Sequence, residues 1–140
     1  MLAASMAAVG IITTVSAPAQ AAGTERYHAY AYDPAYPVGA VMTGDAQFAS
    51  INDHFWLTDD TFDGHGVVLH INLSDDAGET YHRWKNLYNG DERTEGVLRY
   101  KVWDFDAEFS EGRYFAFQVC RQDGINQESF HCGDWVKGTA

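Results

Sequence analysis

The six histidines are the side chains of this 140-residue chain best suited to proton transfer near neutral pH. They stand at His28, His54, His65, His70, His82 and His131. The sequence has no nucleophile elbow (G-x-S-x-G), no H-E-x-x-H zinc motif and no glycine-rich phosphate loop. A catalytic triad can assemble from distant residues, but no serine stands in an activating sequence context. We therefore expect a protein that is not an enzyme, with no catalytic residue and no cofactor.

Two acidic segments are the next candidates for chemistry, because carboxylate oxygens bind hard cations such as calcium. They are TDDTFDGHG (58–66) and DFDAEFSEG (104–112). Neither has an acid at the twelfth position counted from Asp59 or Asp104, where a helix–loop–helix calcium site needs one. Asp and Gly are also the residues that tight turns use. We interpret both segments as turns and predict no metal site, with a structural calcium ion as the alternative.

Cys120 and Cys132 are the two cysteines of the chain, and they are most simply paired as one disulfide. A zinc site would need more soft ligands in register, and a redox pair would favour C-x-x-C spacing. A crosslink that closes a loop of this length stabilises a fold by roughly 3 kcal/mol. The enclosed residues, 121–131, suit either a stapled hairpin turn or a rigid loop that an inhibitor presents to an enzyme cleft.

Four of the eight tyrosines lie close together near the start of the chain, at Tyr27, Tyr30, Tyr32 and Tyr36. Two X-Pro pairs in the same stretch disfavour a helix, because the residue before proline avoids the α region. Proline cannot donate to a β-ladder, so a central strand is disfavoured as well. An edge strand of the chain's own sandwich and an arm docked on another protein both remain, since both bury tyrosines. We assign the four tyrosines as partner-binding anchors.

The elements that would position these residues are β-strands. In GVVLHINL (66–73), Val67, Leu69 and Ile71 share one face while His70 points to the other, the period of a half-buried strand. Further candidate strands are HFWL (54–57), YHRWKNLY (81–88), VLRYKVW (97–103), RYFAFQVC (113–120) and CGDWV (132–136). The pattern predicts an all-β fold, a small antiparallel β-sandwich with one disulfide and an extended N-terminal arm.

The first 21 residues carry no charge and end in Ala19-Gln20-Ala21, the pattern of a signal peptidase site. The basic residue that normally precedes the apolar run of a signal is missing, so we expect the true start to lie upstream. The predicted organisation is a signal peptide over 1–21, an N-terminal arm over 22–50 and the sandwich over 51–140. The mature chain would be secreted, and its net charge of −11 argues against nucleic acid or a membrane as partner.

The block from Trp56 to Trp135 resembles small secreted β-sandwich proteins of actinobacteria. The resemblance rests on DDTFDGHGVVLHI and on the closing FQVCRQDG…FHCGDWV. Such proteins have a further cysteine near the acidic turn, where this chain has Leu57 and Thr58, so that crosslink is absent. One setting of similar proteins is an umbrella-shaped antibacterial toxin particle. There a small sandwich subunit joins a large repeat-containing toxin chain to a lectin-like subunit through an extended arm.

From the residues and the resemblance together we expect a secreted protein-binding adaptor. Its partners would be other secreted proteins, which the resemblance implies to be a lectin-like subunit and a large repeat-containing toxin. Residues 24–39 would supply the docking strand, and deleting residues 22–38 would leave the domain folded while abolishing binding. Two alternatives stand beside this function. One is a secreted enzyme inhibitor acting through residues 121–131, and the other is a carbohydrate-binding module using Trp56, Trp84 or Trp103.

Overall fold

All regular structure is β in a computed structural model of the chain, which describes residues 26–34, 41–90 and 99–140. The strands are β1 (Arg26–Asp33), β2 (Val41–Ala49), β3 (His54–Asp59), β4 (Gly66–Ser74), β5 (His82–Asn89), β6 (Arg99–Asp104), β7 (Tyr114–Gln122), β8 (Ser129–Phe130) and β9 (Val136–Thr139). Period-2 alternation predicted β3 to β7 to within two residues at each end. The last strand was predicted at 132–136, but β9 begins only at Val136, so residues 132–135 lead into it. The predicted signal peptide and Tyr36 lie outside the described residues.

The described strands form two antiparallel sheets. The first sheet has the order β1-β2-β3-β6, and the second has the order β5-β4-β7, with β8 and β9 both pairing with β7. The two sheets pack face to face through their apolar sides, which makes a β-sandwich. The predicted antiparallel sandwich is therefore confirmed, as is the single disulfide between Cys120 and Cys132.

Phenylalanines from both sheets fill the space between them. Phe48 and Phe55 come from the first sheet and Phe115 and Phe117 from the second, and all four are fully buried. The rings of Phe48 and Phe115 meet across the interface, with centroids 4.4 Å apart. Truncating a buried phenylalanine to alanine typically costs about 3–5 kcal/mol, whereas a surface ion pair contributes about 1 kcal/mol or less. The aromatic core, rather than surface charge, holds the two sheets together.

β4 is a central strand that is covered on both sides, although its sequence predicted one solvated face. Leu69 and Ile71 face the core as predicted. His70 points to the opposite side, yet it is only 8% exposed. Asn86 of β5 and Ser129 of β8 both hydrogen-bond to its ring and cover it. The outer side of β4 is therefore a covered polar site.

The described part of the predicted arm, residues 22–50, consists of two strands of the first sheet. β1 pairs with β2 over its whole length, and β2 pairs with β3. The inward side chains of β1 explain this placement: Ala31 is fully buried, and the Tyr27 ring packs on Phe48 and Phe115 at 6.3 and 5.8 Å. β1 and β2 are thus part of the first sheet, and β1 packs on its core; the boundary between arm and sandwich at residue 51 stays a prediction.

The outer edge of β1 is covered by the segment that follows the disulfide. The backbone N–H of Gly133 donates to the carbonyl of Val119 on β7 at 3.0 Å, and Gln118 Nε2 donates to the Gly133 carbonyl at 2.7 Å. These bonds press Gly133 against β1, where an added Cβ would lie 1.7 Å from the carbonyl oxygen of Tyr30. Glycine is therefore required at this crossing by the close approach of two backbones. The neighbouring Cys132 anchors the segment there.

Candidate functional site

The outer face of the first sheet carries apolar side chains where a sheet with one wet face would carry polar ones. One cross-strand row runs from Tyr30 on β1 to Tyr100 on β6, and the next runs from His28 through Trp56 to Val102. We call the outward apolar side chains of this sheet the aromatic face. Its members are Tyr30, Tyr32, Met42, Trp56, Tyr100 and Val102.

Much of the exposed apolar surface of the described residues is concentrated on this face. Nine large hydrophobic side chains are exposed among the described residues. Four of them belong to the aromatic face: Tyr32 (42%), Met42 (39%), Tyr100 (62%) and Val102 (42%). The other five are spread over loops and the second sheet. Exposed apolar side chains grouped on one face mark an interaction site more often than scattered single residues do. In the row from Tyr30 to Tyr100 they are separated by Asp45 and Thr58.

Polar side chains between the rings restrict how the rings can move. Gln47 Nε2 donates to Asp45 Oδ2 at 3.0 Å, and the His28 ring stacks on Tyr30 with centroids 6.2 Å apart. On β3 the ring of His54 stacks on Trp56 at 5.7 Å. Side chains that are ordered before binding lose less conformational entropy when a partner docks. The aromatic face is thus partly pre-organised.

The structure divides the four predicted anchor tyrosines. Tyr30 and Tyr32 point outward on the aromatic face, with ring centroids 6.4 Å apart. Tyr27 points inward and packs against the core. Tyr36 lies outside the residues that the structure describes. The split follows from the pleat, because successive side chains of one strand point to opposite faces of the sheet.

The three tryptophans proposed for carbohydrate binding also have different places. Trp56 lies on the aromatic face, on β3. Trp84 and Trp103 are partly buried and pack against the core, and the Trp84 ring lies 5.1 Å from that of Phe105. A flat platform of three exposed tryptophans is therefore not formed, and the carbohydrate-binding alternative depends on Trp56 and the surrounding tyrosines.

The acidic segment 58–66 uses its carboxylates to hold its own turn. Asp63 accepts from the backbone N–H of His65 at 3.0 Å, and Asp59 accepts from that of Thr61 at 3.3 Å. This local bonding is what Asp supplies in turns. Over residues 26–34, 41–90 and 99–140, no group of three or more His, Cys, Asp or Glu side chains is arranged to hold a metal ion.

A buried arginine ties the same segment to β1 and β7. Arg121 is a buried residue, 5% exposed. Its guanidinium donates to Asp33 at 3.0 Å and to Asp63 at 2.5 Å. Its guanidinium also lies over the Phe130 ring, 5.5 Å from the centroid. A buried charge must be paired to be tolerated, so Arg121 is a structural cation whose two carboxylates hold the end of the sandwich together.

Two carboxyl groups of the turns have shifted pKa values, in opposite directions. Burial raises the pKa of Asp53, and the neighbouring carboxylates of Glu111, Asp106 and Asp104 raise it further against an opposing effect of His54. In the turn after β4, the hydroxyl of Ser74 and both the hydroxyl and the N–H of Thr80 donate to Asp76 at 2.5–2.8 Å. These bonds hold the pKa of Asp76 well below its usual range.

A second candidate site, on the outer side of the second sheet, was not predicted from the sequence. A cleft of about 410 Å³ lies between β5 and residues 122–129. On its wall, His70 Nε2 lies 3.0 Å from Ser129 Oγ, and His70 Nδ1 lies 2.8 Å from Asn86 Oδ1. Asn86 and Ser129 stand 16 and 59 residues from His70 in the chain, so no short motif joins them. The one sequence signal for this site was His70 itself, which stands on the outer face of β4, a strand that is otherwise mostly apolar.

The loop proposed for enzyme inhibition forms one border of that cleft. Residues 121–131 make a β7–β8 hairpin in which Arg121 is opposite Phe130 and Gln122 is opposite Ser129. Gln122 Nε2 donates to the Gly124 carbonyl at 2.6 Å, which stiffens the turn. Ile125 at the tip is 70% exposed. The loop is a stapled hairpin with one presented apolar side chain, and its action as an inhibitor stays a prediction.

No family model matches this chain, and no curated protein or solved structure matches it either. The resemblance to secreted actinobacterial sandwich proteins therefore stays a prediction that rests on the two sequence motifs. Within the described part of the chain, no helix is long and apolar enough to cross a membrane.

Proposed function

We propose that this protein is a secreted protein-binding module that binds its partner through the aromatic face of the first sheet. The observation that carries the proposal is the set of outward apolar side chains on the four strands of that sheet: Tyr32, Met42, Tyr100 and Val102 are exposed, and Trp56 on β3 is half-buried. Tyrosine, tryptophan and methionine are the residues enriched at protein interfaces, because they bury a large area and the aromatic ones keep a polar tip for hydrogen bonding.

Binding through side chains replaces the backbone pairing expected of a docking arm. One edge of β1 is already paired with β2, and Gly133 covers its other edge at Tyr30. A partner strand could pair there only by displacing a segment that the disulfide anchors. The partner instead presses apolar side chains between the rings of the aromatic face, with Tyr30 and Tyr32 as two of its anchors.

The size of the face sets the kind of interface that it supports. Four strands about 4.8 Å apart and six residues of about 3.3 Å each give a face of roughly 20 by 20 Å, or about 400 Å². A standard stable interface buries about 800 Å² on each partner. The face alone therefore suits a small, reversible contact, and a long-lived complex would use flanking loops as well.

The aliphatic members of the face favour a protein partner over a carbohydrate. Met42 and Val102 are exposed beside the rings, and they offer apolar contact area without the flat π surface on which sugars stack.

The test is a photo-crosslinking comparison between two tyrosines of similar exposure. A benzoylphenylalanine is placed at Tyr32 (42% exposed) or at Tyr114 on the second sheet (40% exposed), and each protein is irradiated in culture supernatant of the producing cells. We expect one protein to be captured from Tyr32 but not from Tyr114. Tyr32→Ser combined with Tyr100→Ser should weaken its binding at least tenfold, since aromatic anchors typically contribute 2 kcal/mol or more. Tyr114→Ser should leave it unchanged.

Two results would contradict the proposal. Equal capture from both positions would show that contact with the aromatic face is not selective. Binding of the wild-type protein to a glycan array, lost in the Tyr32 and Tyr100 variant, would identify the face as a carbohydrate-binding site instead.

A further inference from the structure

Three polar side chains from three separate strands meet in one hydrogen-bonded line on the second sheet. Ser129 on β8, His70 on β4 and Asn86 on β5 are joined by contacts of 3.0 Å (Oγ to Nε2) and 2.8 Å (Nδ1 to Oδ1). His70 is 8% exposed, while Ser129 is half-buried and Asn86 exposed. The order is serine, imidazole and an acceptor behind the imidazole, which is the order of a nucleophile, its base and the group that orients the base.

The contacts of His70 agree with one tautomer. When Nδ1 carries the proton it donates to Asn86 Oδ1, because an amide oxygen can only accept. Nε2 is then the unprotonated nitrogen, and it accepts from the hydroxyl of Ser129. This is the tautomer that a general base must have to take a proton from serine. An asparagine performs the same orienting role behind the histidine of papain-like thiol proteases.

The line of three borders a cleft, with His70 itself buried and Ser129 and Asn86 reaching the surface. The cleft measures about 410 Å³ and is walled by Val68 and Tyr88 on one side and by Ile125 and Gln127 on the other. Nucleophile and base lie within hydrogen-bonding distance next to a space for substrate, as an acyl-transfer site requires. Asn126 and Gln127 line the same space, and their amide groups are the candidate donors to a developing oxyanion.

We propose that Ser129 and His70 form the catalytic pair of an esterase site, with Asn86 as the positioning residue. Ser129 Oγ bonds to the carbonyl carbon of an ester while its proton passes to His70 Nε2 and the carbonyl π electrons move to oxygen. The tetrahedral intermediate collapses, the bond to the leaving alkoxide breaks, and His70 returns the proton to that oxygen. Water then attacks the acyl carbon while His70 Nε2 takes its proton. The bond from that carbon to Ser129 Oγ breaks, His70 returns the proton to Oγ, and the carboxylic acid leaves.

The cleft also indicates the class of ester. Arg83 lines it, is exposed, and makes no ion pair within the described part of this chain. Glu128 lines the cleft as well, so its charge opposes that of Arg83 there. We assign Arg83 as the contact for a negatively charged group of the ester, and the comparison of an anionic with a neutral ester tests that assignment. This activity goes beyond partner binding and opposes the sequence-based expectation that the protein is not an enzyme.

The first test is covalent labelling of the intact, oxidised protein. A fluorophosphonate probe reacts with activated serines, and digestion followed by mass spectrometry locates the adduct. We expect the adduct at Ser129, with none on heat-denatured protein. His70→Gln should slow labelling by about 100-fold or more, the usual contribution of a general base. The exposed Ser110 provides the control: Ser110→Ala should label at the wild-type rate.

The second test measures turnover and the role of Arg83. Hydrolysis of 4-acetoxybenzoate, which is anionic, is compared with that of phenyl acetate. Arg83→Gln should raise KM for the anionic ester several-fold and leave phenyl acetate unaffected, while Asn86→Leu should lower kcat for both. Thermal melts of each variant establish that it is folded. Three results would overturn the esterase proposal: an adduct at another residue, labelling equal to that of denatured protein, or hydrolysis by Ser129→Ala at the wild-type rate. None of them bears on what the aromatic face binds.

Discussion

Asp53 is a carboxylate in a place where the fold tolerates a negative charge poorly. It follows Asn52 in the turn before β3, its backbone has φ of 45°, and its side chain is 7% exposed. Its backbone carbonyl accepts from the N–H of Phe105 at 3.1 Å, which holds the backbone of the turn in place. Burial and neighbouring carboxylates therefore raise the pKa of Asp53.

Replacing Asp53 with Asn should raise the melting temperature at pH 7. An acid whose folded-state pKa is raised destabilises the fold while it is ionised, and this penalty disappears as pH falls through that pKa. The amide keeps the shape of the side chain and accepts a positive φ readily. The advantage of the variant should thus shrink in melts taken at progressively lower pH, towards about pH 4. Asp134→Asn, at an exposed position, is the control for loss of charge alone. An advantage that persists undiminished at low pH would refute the electrostatic explanation.

At the scale of the strands, the backbone of Gly133 crosses that of β1 so closely that position 133 tolerates no larger side chain without a shift of the backbone. A Cβ there would meet backbone rather than a movable side chain. Both flanking hydrogen bonds hold Gly133 to β7. The segment and β1 can separate only if the disulfide anchor at Cys132 gives way.

We predict that Gly133→Ala destabilises the protein by about 1–3 kcal/mol, the usual penalty for overpacking. The free energy of unfolding from urea titrations measures it. In a background where Cys120 and Cys132 are both alanine, the segment can move away from β1, so the same substitution should have a smaller effect. Equal effects in both backgrounds would mean that the disulfide does not hold the segment against β1.

The sequence predicted the strands whose pattern is local and missed what depends on pairing. β4 and β7 alternate clearly, so their existence and core faces were predictable. β2 was missed because Gly44 and Thr43 interrupt its apolar pattern. The position of β1 could not be predicted, because a strand in the chain's own sheet and an arm docked on a partner would both bury the same tyrosines. Ser129 and His70 come together only through the β4–β7–β8 order, which no spacing in the sequence encodes.

For the molecule as a whole, the structure gives a physical reason to expect that β1 is needed for folding, against the prediction that the domain folds without residues 22–38. Removing residues 1–33 would delete β1 and uncover Ala46 and Phe48 of the core. It would also leave the buried Arg121 without Asp33. Both losses belong to the small set of changes that unfold marginally stable domains.

We therefore predict that a protein lacking residues 1–33 loses its cooperative thermal transition. Differential scanning calorimetry measures this, and a protein lacking only residues 1–21 is the matched control. A truncated protein that still melts cooperatively would restore the interpretation of β1 as an arm that is dispensable for folding.

The crossing of Gly133 over β1 also has a consequence for the timing of folding. Asp33 on β1 bonds to Arg121, 88 residues further along the chain, and contacts this distant form late and slowly. We expect the edge of β1 to be more open to strand addition by another copy before the Cys120–Cys132 bond forms, because the segment that covers it is then held only by its bonds to β7. The reduced chain should therefore aggregate more readily during refolding than the oxidised one.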